Sequence, residues 1–190
     1  MREIFSDTIK HNSSSTKRMI IFGAVGGIIA GLIMAPFMML TALLVGMPAE
    51  TMPIAIGLAF GADINSAMMT GFGLHSLTSI LIGVIFGTVV ANVSKLRIST
   101  FTKGVSEGLI AGMIAFVVLF IPVSMSMMPP VLMGLVMQMN PTMNQQQIMG
   151  MLQQNMPTMI GMGVLEHLVY GAVLGTITAA LIRKVNPGRR

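Results

Sequence analysis

Two stretches, Met19–Val45 and Ala67–Val93, run 27 residues each without an Asp, Glu, Lys or Arg. Few structures are open to such a stretch. About 20 apolar residues cross a bilayer as a helix, and in hydrocarbon only a helix or a closed barrel satisfies its own backbone. Two further apolar blocks, Val105–Met128 and Pro157–Ile182, carry one acid each, Glu107 and Glu166. The whole chain is 54% hydrophobic and 9% charged, against about 25% charged in a soluble domain. Its 190 residues lack the charge to coat a water-facing surface. The expected fold is all-α, a polytopic membrane four-helix bundle.

The charges that remain are segregated. All 11 Lys and Arg fall in three segments: a polar tail 1–18, a connection 94–104 and a tail 183–190. The other two connections, about 46–66 and 129–156, have none. By the positive-inside rule both termini and the connection 94–104 face the cytoplasm of a multi-pass cell-membrane protein, and the other two connections face outward. Basic residues at the inner surface also favour anionic lipid, so the net charge of +5 requires no nucleic acid. The first apolar block exceeds the 7–15-residue core of a secretory signal and is expected to stay as an anchor. There is no cysteine, which excludes disulfides, zinc–thiolate sites and thiol nucleophiles. No Walker loop, H-E-x-x-H or G-x-S-x-G occurs, so a non-enzymatic role is expected.

The blocks resemble each other in pairs. "GIIAGLI" from Gly27 matches "GLIAGMI" from Gly108 at an offset of 81. "GVIFGTVVANVSK" from Gly83 matches "GAVLGTITAALIR" from Gly171 at an offset of 88, an offset that Gly73 and Gly161 share. The expected organisation is two duplicated hairpins, 19–93 and 105–182. The second carries extra length in a Met/Gln-rich outer insert, 129–156. Two-helix repeats entering from the same side imply an axis along the membrane normal. Each block carries G-x-x-x-G: Gly27/Gly31, Gly83/Gly87, Gly108/Gly112 and Gly171/Gly175. Lipid tails are as apolar as leucine, so helices in a bilayer associate through close packing that small residues permit. These eight glycines are the expected helix-packing positions. Pro36 and Pro122 fall inside the first and third blocks and remove an amide donor each.

In the insert, Asn140 followed by Pro141 reads as a helix start. Ile148, Met151 and Leu152 share one face. A short amphipathic helix on the outer surface is expected, with a polar Gln/Asn coil as the alternative.

The polar residues inside the apolar blocks converge in depth. At the helical rise, His167 lies about 22 Å from Ile182, Glu166 about 24 Å, and His75 about 27 Å from Val93. Met34 and Met38 lie at about 22 and 28 Å from Met19. His75 with Ser79, and His167 with Gly163, lie on the glycine stripes and face other helices. Glu166 is about 100° from His167 on the same turn and is expected to border a pocket. His75, Ser79, Glu166 and His167 form that candidate pocket. Intramembrane ionisable groups are functional candidates, yet two histidines bonded to Ser79, Thr78 or backbone would simply join helices. Both readings stay open. The same holds for the 22 methionines. Met34 and Met38 make M-x-x-x-M on one helical face, which looks like the thioether rings of copper transporters. With His75 and His167 they are candidate Cu(I) ligands, while methionine is equally a flexible apolar filler.

The run H-x-x-x-G-x-x-x-G from His167, after "GVLE", resembles the last helix of small uncharacterised prokaryotic four-span membrane proteins. The likeness covers the fourth block well, the second in part, and departs in the insert. It implies a fold and no activity. The expected function is an accessory or packing subunit of a larger membrane assembly, or a homo-oligomer, with other membrane chains or itself as partner. The alternative is a small transporter or Cu(I)-handling protein using the Met/His/Glu pocket.

Overall fold

The computed structural model describes residues 2–185, with side chains from residue 16 onward. The described chain is helical, with no strand. The order is α1 (Arg2–Leu44), α2 (Thr51–Ala59), α3 (Ala67–Asn92), a 3₁₀ turn (Ser94–Leu96), α4 (Phe101–Ala115), a π turn (Phe116–Phe120), α5 (Ile121–Ser126), α6 (Met128–Met139) and α7 (Gln145–Val185). Four stretches are long and apolar enough to cross a membrane: Thr16–Leu44, Ala67–Asn92, Phe101–Ser126 and Gln145–Val185. The protein is an all-α, multi-pass membrane helical bundle. Apolar side chains such as Leu32, Ile85 and Val118 remain exposed, as residues that face lipid must.

Two boundaries differ from expectation. Helix α1 takes in the polar tail from Arg2 onward. The insert's helix does not start at Asn140; its residues divide between α6 and the first turns of α7. Asn140 closes α6 instead of opening a helix, donating its N–H to the Val136 carbonyl at 2.8 Å. The next start lies at Asn144, whose N–H donates to Gln147 Oε1 (2.9 Å) while Gln147 N–H donates to Asn144 Oδ1 (3.0 Å). That reciprocal cap satisfies two amides that would otherwise lack partners, a stronger start than Asn140 with Pro141. From there α7 runs unbroken through Pro157 to Val185. Ile148 is fully buried, with Met151 and Leu152 packed on the same apolar cluster, so their shared face serves α7 itself.

The chain divides into two compact units. The first joins the part of the chain up to Gly31, Thr78–Gly112 and the part from Val169. Its helices touch at glycines. A Cβ on Gly23 would collide with the Gly83 carbonyl and stand 2.9 Å from Gly87 Cα; one on Gly83 would stand 3.0 Å from Gly27 Cα. Likewise a Cβ on Gly108 would collide with the Gly171 carbonyl and stand 2.8 Å from Gly175 Cα. Backbone meets backbone at both crossings, α1 on α3 and α4 on α7. Gly31 and Gly112 are buried. Helix α7 also meets α1, where Gly26 faces Leu174 and the Thr178 hydroxyl. It meets α3 as well, where the Tyr170 hydroxyl donates to the Ser79 carbonyl at 2.7 Å.

The second unit joins Leu32–Leu77 and Met113–Leu168. Its core collects Ala42, Val45, Met47, Ala55, Met128, Leu132, Leu135, Val136 and Ile148. Helix α2 packs back on the start of α3, where a Cβ on Gly71 would collide with the Pro53 carbonyl. Gly46 and Gly61, at φ 77° and 88°, end α1 and α2. Each is followed by an amide that bonds five residues back, Met47 to Ala42 and Ala62 to Gly57. Such left-handed caps favour glycine. Before α3, the Asp63 carboxylate accepts from Ser66 Oγ (2.7 Å) and from the Asn65 and Ser66 amides. These bonds favour its charged form and hold it below the ordinary carboxylate pKa.

Candidate functional site

The site begins with a proline. Pro122 has no N–H to give the carbonyl four residues back, and its ring crowds that carbonyl. The chain answers just ahead of it by widening one turn, Phe116–Phe120, in which the Ile121 amide bonds to the Phe116 carbonyl five residues back. Such π turns occur as single bulges within α-helices. Phe116 and Phe120 stack with centroids 5.2 Å apart. Both present their rings to His167, at 5.5 and 5.3 Å, in edge-on geometry. The ring of Phe120 is seated because residue 163 is glycine: a Cβ there would stand 2.5 Å from Phe120 Cζ. The Nδ1 of His167 is 2.8 Å from the Gly163 carbonyl. If Nδ1 carries the proton, this is a donated hydrogen bond that leaves Nε2 as the acceptor nitrogen.

Glu166 points the other way, to α1. The Thr41 hydroxyl donates to Glu166 Oε1 and also lies 3.1 Å from the Phe37 carbonyl. Glu166 is 4% exposed and His167 8%. Adjacent residues on one helix are both buried because α7 has neighbours on both sides: α1 at Glu166, and the π turn at His167. Glu166 is enclosed, and its partner is a threonine.

His75 is half-buried in the same unit as Glu166 and His167. Ser79 is buried in the first unit, and its carbonyl takes the Tyr170 hydroxyl. Met34 and Met38, each 7% exposed, lie with Thr41 on the buried stripe of α1. Among the described residues no three His, Cys, Asp or Glu side chains gather as a metal site.

No family model, curated protein or solved structure matches the chain. Thr41, Phe116 and Phe120 belong to the site and carry no motif. Only the proline gave a signal for the two phenylalanines, because a proline within a span marks a place where the preceding turn must adjust.

Proposed function

We propose that this is a non-enzymatic membrane protein built from two similar hairpins, serving as a packing or accessory subunit of a larger membrane assembly or of a homo-oligomer. One observation carries the reading. The buried polar groups are spent on joining helices: Glu166 with Thr41, His167 with two phenylalanines, Tyr170 with Ser79. The matching glycine crossings of α1 on α3 and α4 on α7 support the duplication. The Met-rich insert 129–156 would be the partner surface, since methionine adapts to irregular contacts.

Purification in mild detergent tests this, with co-purifying chains identified and metal measured. A second chain at fixed stoichiometry, or a stable homo-oligomer, is expected. A monomer that carries copper, or that moves a solute in vesicles, would transfer the assignment to the Cu(I)-handling or transport alternative. In that case His167 Nε2, with the thioethers of Met34 and Met38, would be the donors to examine first.

The orientation belongs to the same proposal: termini and the connection 94–104 in the cytoplasm, 46–66 and 129–156 outside. The chain has no cysteine of its own, so an introduced thiol is the sole target of a thiol reagent. Cysteine at exposed Ser99 should react with an impermeant maleimide only after the membrane is opened. Cysteine at exposed Glu50 or Gln146 should react in intact cells. Reaction of Ser99→Cys in intact cells would invert or break the four-span topology.

A further inference from the structure

Charge in the described side chains is divided between the two units. Leu32–Leu77 and Met113–Leu168 contain no Lys or Arg. Among the described side chains the first unit holds seven, Lys17, Arg18, Lys95, Arg97, Lys103, Arg183 and Lys184, against a single acid, Glu107. All but Lys103 are exposed. They come from four separate stretches of chain, and the helix crossings bring those stretches to one level.

Three contacts fix that level. Gly87 packs on Met19 and Ile20, which sets Lys17 and Arg18 beside the last turn of α3 and the connection bearing Lys95 and Arg97. Gly104 packs on Gly175 and Ala179, which sets Lys103 within about one turn of Arg183. Gly26 packs on Leu174 and Thr178. Stepping eight residues outward along each antiparallel helix brings Arg18 level with Arg183 to within about one turn. The connection is itself held in place: Lys103 Nζ donates to the Lys95 carbonyl at 2.7 Å, and Ile98 is buried. Lys103 is thus partly committed to the protein, while Lys17, Arg18, Lys95, Arg97, Arg183 and Lys184 present their charge outward.

We propose that this end of the first unit is a binding surface for the phosphates of anionic lipid headgroups. The position of the charges selects lipid over a dissolved anion. Arg18 immediately precedes the apolar run at Met19, Arg183 immediately follows Ile182, and Lys103 sits in the first turn of α4. Each cation is therefore placed where a spanning helix leaves hydrocarbon, at the depth of headgroups. A guanidinium there can take two phosphate oxygens at once. Each basic residue near an anionic surface contributes about a fivefold preference, and the effect weakens with salt. Acting together, the six outward residues would retain anionic lipid in preference to zwitterionic lipid. This surface is independent of the subunit reading, since it would exist equally in a transporter.

The test is thermal unfolding in detergent micelles titrated with phosphatidylglycerol, phosphatidylcholine or inorganic phosphate. Phosphatidylglycerol should raise the transition temperature saturably, phosphatidylcholine much less, and inorganic phosphate not at all. The variants Arg183→Gln/Lys184→Gln and Lys95→Gln/Arg97→Gln alter exposed side chains and should unfold like wild type without lipid. Each should need about 25-fold more phosphatidylglycerol for the same shift. Lys17→Gln/Arg18→Gln gives a third pair should one of the first two fail to fold. Equal shifts from the two phospholipids, an undiminished shift in every folded variant, or full replacement of the lipid by inorganic phosphate would overturn the proposal.

Discussion

Leucine in place of Gly83, Gly108, Gly171 or Gly175 should unfold the bundle or prevent its assembly, and alanine at the same positions should destabilise it measurably. The backbones already touch. A single Cβ on Gly175 would stand 2.8 Å from the Gly104 carbonyl carbon and 3.1 Å from Gly108 Cα. Atoms at those distances belong to main chain, which cannot rotate aside, so the helices must separate. Overpacking of this kind costs about 1–3 kcal/mol for small insertions, and leucine adds three more carbons. The control lies in the same helices. A Cβ on Gly73 of α3 or Gly161 of α7 would meet nothing within 4 Å, so Gly73→Ala and Gly161→Ala should unfold at or above the wild-type temperature, because alanine is the better helix former. Detergent melting curves of Gly175→Ala, Gly171→Ala, Gly73→Ala and Gly161→Ala decide the matter. Equal melting temperatures in all four would show that the glycine crossings do not hold the helices together. Leu174→Ala is no mild comparison, since Leu174 is completely buried beside Gly26. Cavity formation there should cost about 2–5 kcal/mol.

The four spans were legible because composition decides them: a charge-free run as long as Met19–Val45 leaves the backbone no partner but itself. The close approach of helices was legible in kind through the glycines, while its register was not. Gly108 takes at Gly171 and Gly175 the place that Gly23 takes at Gly83 and Gly87, an offset of 108 − 23 = 85, where the strings "GIIAGLI" and "GLIAGMI" align at 81. One turn separates the two. Glycines spaced by four along a stripe allow several registers, and the choice among them falls to larger side chains elsewhere. The site was legible by half. Glu166 and His167 stand out in an apolar run, whereas Thr41 on α1 looks like any threonine in a span. That α7 has neighbours on both sides follows only from the packing. A face assigned from the glycine stripe alone therefore left Glu166 outside the contact it makes.

The second large effect concerns those two residues. Glu166→Ala removes most of an enclosed side chain and leaves the Thr41 hydroxyl facing a void, so a loss on the order of 2 kcal/mol or more is expected from packing alone. Glu166→Gln keeps the shape and still offers Thr41 an oxygen, so its melting temperature should stay close to wild type. Thr41→Val removes the hydroxyl and retains the volume. Interhelical hydrogen bonds in membranes couple by about 0.6 kcal/mol on average and about 1.7 at most. A cycle of Thr41→Val with Glu166→Ala should give a coupling in that range. On the other side of α7, His167→Ala forfeits both ring contacts, each worth about 0.5–1.5 kcal/mol, as well as the bond to Gly163, and should cost at least as much as Glu166→Ala. Phe120→Ala should reproduce part of that loss without touching a titratable group. These costs define what a fastening role alone would produce. Copper content, oligomer formation and any transport, each normalised to folded protein, should then follow melting temperature across Glu166→Gln, Glu166→Ala, His75→Ala and His167→Ala. If Glu166→Gln melts like wild type and yet loses one of those properties, the carboxyl group does chemistry that shape cannot replace, and the subunit reading gives way to a proton- or metal-handling one.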